Sequence, residues 1–151
     1  MSGILLSLNH AMEIAEGTLQ AGRAGGYAPL CVAVLDSGGH ILVLLRDERA
    51  SIYRPQIAIA KASGCLGMGF GGRELAKRAQ AMPQFFTALS GIFPDGIVPV
   101  AGGVLVRAGE KQLCGAVGVT GDTSDNDELC AVAGIKRAGF VADTGAAAPD
   151  G

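Results

Sequence analysis

Gly121-Asp122-Thr123 falls where a strand-forming run, Leu113–Thr120, gives way to a helix-forming one that opens at Ser124. A loop in that place exposes backbone N–H groups at a helix N-terminus. Both the free donors and the helix dipole favour an anion there. Gly102-Gly103 is a second place where bare backbone can meet a ligand. Arg46, Arg54 and Lys61 can bring positive charge to the same end. The expected ligand-binding set is therefore Arg46, Arg54, Lys61, Gly102, Gly103, Thr120, Gly121, Asp122 and Thr123. Its chemistry suits a small carboxylate, with Lys61 or Arg54 as counter-charge. The plainer reading stays open: Gly121 is a turn, Asp122 is a cap, and its carboxylate already takes those donors.

A second chemistry rests on Glu48, Asp122 and Asp127 beside Lys61 and Arg54. A carboxylate of shifted pKa next to an anion-holding cation is enough for proton transfer. That would make a cofactor-independent lyase or isomerase acting on a small organic acid. No GxSxG elbow, P-loop, dinucleotide fingerprint following a strand, or HExxH is present. The two histidines, His10 and His40, lie far apart in sequence, so no metal site is expected. Cys31, Cys65, Cys114 and Cys130 form no C-x-x-C pair and read as buried free thiols.

The elements that must position these groups follow from periodicity. Ser7 caps a helix from Leu8 to about Arg23, with Leu8, Met12, Ala15 and Leu19 on its buried face. Leu30–Leu35 and Ile41–Leu45 make a hairpin around Asp36-Ser37-Gly38-Gly39-His40, apolar on both faces. Ser51–Phe70 is a helix with an irregular start at Pro55; Gly64, Gly67 and Gly69 allow it tight packing, including against another subunit. Arg73–Ala81 and Gln84–Leu89 are short helices, and Ser90–Pro99 is a loop. A second hairpin pairs Gly103–Val106 with Leu113–Thr120. Cys114, Ala116 and Gly118 should share one small-residue face, against which a helix packs closely or a cavity opens. Ser124 caps the last helix, which Gly139 stops.

The run GAVGVTGDTSDND, followed by an Ala/Gly-rich helix, resembles the C-terminal motif of the GlcG/HbpS-like family, which includes the C-terminal domain of PduO-type proteins. Gly102–Val106 matches the family's GGVPI pattern, with Leu105 where proline is usual. Gly115–Gly121 matches GAIGVSGG, with Asp122 where a second glycine is common. Arg46, Glu48 and Ala50 keep the character of the family's Arg-Met-Asp-Gly-Ala, and Lys61-Ala62 corresponds to its Lys-Ala pair. The likeness runs from about Leu5 to Phe140. It implies a profilin-like sheet with helices on its faces, often as a homo-oligomer. Some members bind haem, so haem or a related flat acidic cofactor becomes the expected ligand.

Length and composition set the outer bounds. A chain of 151 residues with 49% hydrophobic content forms one domain, expected over 1–142, with a tail at 143–151. Hairpins interrupted by helices argue α+β with an antiparallel sheet. The spare hydrophobicity points to buried subunit contacts. A net charge of −2 without a basic stripe argues against nucleic acid. No apolar run is long enough to span a bilayer. The N-terminus lacks the basic region of a signal peptide, so a cytoplasmic location is expected.

Overall fold

The computed structural model describes residues 5–146. Its elements are α1 (Leu8–Ala24), β1 (Cys31–Asp36), β2 (Ile41–Arg46), α2 (Arg54–Met68), α3 (Gly72–Ala81), α4 (Pro83–Leu89), β3 (Gly103–Ala108), β4 (Gln112–Thr120), α5 (Ser124–Arg137) and β5 (Val141–Asp143). The strands form one antiparallel sheet in the order β2-β1-β4-β3-β5. Helices α1 and α5 cover one face, over Val32, Val34, Val104, Val117 and Val119. Helices α2, α3 and α4 cover the other, over Leu35, Leu105 and Ala116. This is the α+β, profilin-like architecture expected, with the central strands buried on both sides.

Helix α2 comes close to the sheet because the residues beneath it are small. A Cβ on Gly118 would stand 1.9 Å from the carbonyl oxygen of Ala58. The small-residue face is therefore filled by helix backbone and opens no cavity. Cys114 does not belong to it. The β3–β4 register shifts between Val106 and Arg107, so Gly115 lies opposite Val106 and Leu113 opposite Arg107. This bulge turns Cys114 onto the α1/α5 side with Val117 and Val119.

Three further local expectations change. The buried face of α1 is Ala11, Ile14, Ala15, Thr18 and Gly22, while Leu8 is 58% exposed. Gly17 and Gly134 set this phase: α1 and α5 touch there backbone to backbone, with 3.1 Å from a Cβ on Gly17 to Gly134 Cα. The N-cap of α5 is Thr123, whose hydroxyl accepts the Asn126 N–H, and not Ser124. Asp143, where the tail was expected to begin, is the last residue of β5 and pairs with Arg107 at 2.9 Å. Residues 147–151 of that tail lie outside the described residues.

The glycines of α2 are occupied by the same chain. Ile97 lies against Gly64 and the Phe93 ring against Gly67, which pins the 90–99 loop along the helix. These notches therefore need no second subunit to fill them.

Candidate functional site

The expected residues converge on the end of the sheet where β1 begins and β4 ends. Cys31 pairs with Thr120 there, and α2 starts above them. Pro55 in the first turn of α2 needs no N–H partner, so the helix can begin directly after the loop at Ser51–Tyr53. Arg54 is thereby placed on the first turn, half-buried. Its Nη1 donates to Thr120 Oγ1 at 2.7 Å and its Nε to Ser51 Oγ at 3.2 Å. Both partners are neutral hydroxyls, and Arg54 has no carboxylate partner among the described residues.

Lys61, two turns further along α2, is in the opposite condition. It is only 4% exposed, and its Nζ donates to the Val119 carbonyl at 2.8 Å and to Asp127 Oδ2 at 3.3 Å. Burial pulls the Lys61 pKa down and pushes the Asp127 pKa up, and the attraction between the two opposes both shifts. We take the pair as ionised, because each charge has its opposite and a further hydrogen bond. Gly102 makes room for them. Its φ of +110° suits glycine, and a Cβ there would stand 2.9 Å from Lys61 Nζ. Gly103 lies directly under α2, where a Cβ would meet Cys65 Sγ and the Lys61 carbonyl, each at 2.7 Å.

The Gly121–Thr123 loop is closed by the chain's own carboxylates. Asp127 Oδ1 accepts the Asp122 N–H at 2.9 Å. Asp122 Oδ2 accepts from Thr123 N and the Asn126 side chain, and its Oδ1 accepts from Ala28 N at 2.8 Å. The Ala28 N–H, the Asn126 amide and the Thr123 N–H hold the Asp122 carboxyl below its ordinary value. Gly121, with φ of +144°, brings this loop against the Pro29 carbonyl. Arg46 is likewise spent. Its Nη1 donates to the carbonyls of Asp47, Glu48 and Ala50 and so folds the loop after β2. Asp47 and Arg49, which depart from the family pattern, pair with each other at 3.1 Å. Glu48 is exposed.

The structure thus brings Arg46, Arg54, Lys61, Gly102, Gly103, Thr120, Gly121, Asp122, Thr123 and Asp127 to one end of the sheet. Within this group Arg46 and Arg54 have no carboxylate partner among the described residues; Arg46 is exposed and held by three carbonyls, whereas Arg54 is half-buried. Neither histidine joins it. His40 is exposed in the β1–β2 turn, and His10 stands edge-on to Phe140 with ring centroids 5.0 Å apart. Sequence reasoning did not single out Ile52 and Tyr53. They directly precede Arg54 and are 78% and 67% exposed. Two large apolar side chains left in solvent ahead of a proline-started helix were the available signal. The cysteines are buried thiols as expected; burial raises Cys31 and Cys130 to about 11 and Cys65 to about 12.

The HbpS-like family model, described as "Haem degrading protein HbpS-like", matches residues 6–136. The chain belongs to this family. A crystal structure of HbpS is 29% identical, with a TM-score of 0.77 over 90% of this chain and 92% of that one. The crystal structure of a PduOC:heme complex is 20% identical, with a TM-score of 0.80 over 91% and 97%. The Klebsiella pneumoniae protein ORFY, of family DUF336, is 22% identical, with a TM-score of 0.77 over 91% and 94%. At the last two identities the likeness speaks for the fold alone. No curated protein matches the chain. Among the described residues no helix is long and apolar enough to cross a membrane.

Proposed function

We propose that this protein binds a small acidic ligand, haem or a related flat cofactor in the first place, with Arg54 as the counter-charge. The observation that carries this reading is the state of Arg54. A half-buried guanidinium aimed by two hydroxyls costs desolvation and is not repaid by any carboxylate among the described residues. An acid group on a ligand would repay it, through a charge-assisted bond that a guanidinium forms with good geometry. Exposed Ile52 and Tyr53 beside it fit an apolar plate that bears such a group. The family description and the heme complex of a related fold support haem as the first choice. Haem would supply its own iron chemistry; the chain would supply the propionate anchor. The lyase or isomerase reading gains nothing from the geometry, since Asp122 and Asp127 are engaged and Glu48 is exposed.

The same reading includes a homo-oligomer in the cytoplasm. The exposed Ile41, Leu44, Ile52 and Tyr53 support the oligomer. Light scattering that gives a monomer mass at micromolar concentration would remove it. The ligand is tested by titrating hemin and small organic acids. A sharp Soret band that saturates at stoichiometric hemin, and that Arg54→Ala reaches only at higher hemin concentration, is the expected result. A wild-type protein that binds neither hemin nor any organic acid overturns the proposal.

A further inference from the structure

A cleft lies at the other end of α2, about 20 Å from Arg54 at the rise of an α-helix. Its volume is about 470 Å³, within the range of small-molecule sites. We propose that this cleft is a separate ligand site and that it takes a small organic ammonium ion with an apolar body. Two walls and a floor define it. One wall is the β1–β2 turn, where Gly39 has open space beside it and the His40 ring lies against Gly38. That turn is held in shape by the Asp36 carboxylate, which accepts the N–H groups of Gly38 and His40 at 2.9 and 3.0 Å. The other wall is the 92–95 loop, anchored to α2 by the Phe93 ring against Gly67. The floor is α2 itself, at Ser63 and Leu66.

The chemistry of the lining selects the ligand. Leu66, Phe93 and Ile92 offer apolar surface, and Ile92 is 72% exposed at the rim. Asp95 brings a carboxylate that pairs with no cation among the described residues, and Asp36, which shapes the turn through its Oδ1, is not part of the lining. No lining residue is basic. The hydroxyls of Ser37 and Ser63 lie in the lining and can accept from an ammonium N–H. The one charged residue of the lining is the acidic Asp95, which is the reverse of the Arg54 end. The proposal therefore stands whether or not the Arg54 reading holds.

The test uses two probes with the same ring and opposite charge, phenethylammonium and 3-phenylpropionate, titrated into the full chain while backbone amide resonances are followed. Phenethylammonium should give saturable shifts at Gly38, Gly39, Ser63 and Gly67. The carboxylate should give none there. Asp95→Asn, on an exposed loop residue, should weaken the ammonium roughly threefold and leave the carboxylate unchanged. Ser63→Leu, which fills the floor, should abolish the shifts. Four results each overturn the proposal: no saturable shift up to millimolar probe, shifts that map elsewhere, equal binding of the carboxylate, or an Asp95→Asn protein that binds the ammonium as well as wild type.

Discussion

Lys61 and Asp127 meet at 3.3 Å although their helices cover opposite faces of the sheet. They meet beside Gly102, at the start of β3, where the absence of a side chain leaves room for the ammonium group. The pair ties α2 to α5 at one point, and both partners are almost wholly buried. Removing one partner strands the other charge in the interior. Lys61→Ala should therefore cost about 3–5 kcal/mol of stability. Lys61→Met combined with Asp127→Asn should recover part of that loss, since it removes both charges while the Asn oxygen can still accept the Asp122 N–H. Urea unfolding of the three proteins measures this. A single mutant with an unchanged midpoint would show that Asp127 finds another partner.

Gly118 is the point of closest approach between helix and sheet. Any Cβ there enters the Ala58 carbonyl, with backbone on both sides. Neither can move without shifting α2 off Gly103 as well. Gly118→Val should thus destabilise by at least about 1–3 kcal/mol. For a chain of this size that lowers the melting temperature by roughly 2–4 °C for each kcal/mol. A melting temperature equal to wild type would contradict the close packing described above.

The elements were legible in the sequence because apolar periodicity and turn residues agree with the fold along most of the chain. What failed has particular causes. The face of α1 was assigned from large apolar residues, but a glycine crossing rotates the helix so that Ala11 and Thr18 face inward and Leu8 outward. A one-residue bulge, invisible to a period-two count, moved Cys114 across the sheet. Strand β5 has only three residues, and its pairing with β3 is set by long-range contact. At the site, the sequence placed the charges at one end of the sheet but could not partner them. Lys61 and Arg54 look alike as basic residues on one apolar helix. Only the fold shows that the first faces Asp127 and the second two hydroxyls. Asp122 was recognised as a residue that could occupy its own loop, and it does, reaching Ala28 as well.

That reach makes Asp122 an acid-sensitive latch between the β4–α5 loop and the segment after α1. Folding lowers its pKa below the ordinary 3.8. Between the folded and unfolded values the unfolded chain binds more protons, so stability rises with pH across that window. The contribution is complete above about pH 4 and is lost as the pH falls through the folded pKa. Asp122→Asn should flatten the pH dependence of the melting temperature in this acid range. Above pH 5 the variant should sit below wild type by a nearly constant amount. A variant that keeps the full acid slope would assign the effect to another carboxylate.

Arg54 carries the functional prediction. Its guanidinium touches Thr120 and Ser51 and, among the described residues, no acid, so its removal frees no buried charge. Arg54→Ala should leave the unfolding midpoint within about 1 kcal/mol of wild type, in contrast to Lys61→Ala. The loss should appear in binding. A charge-assisted hydrogen bond is worth roughly 1.5–3 kcal/mol, or about ten- to a hundredfold in affinity for the acidic ligand. Arg54→Lys should recover part of this, because it restores charge without the planar fork that Thr120 and Ser51 orient. Thr120→Val, which keeps the shape and removes the hydroxyl, should weaken binding less than Arg54→Ala and in the same direction. Hemin absorbance titrations with denaturation curves on the same samples separate the two effects. If Arg54→Ala binds as tightly as wild type and folds as well, the acid group of the ligand is held elsewhere on the chain.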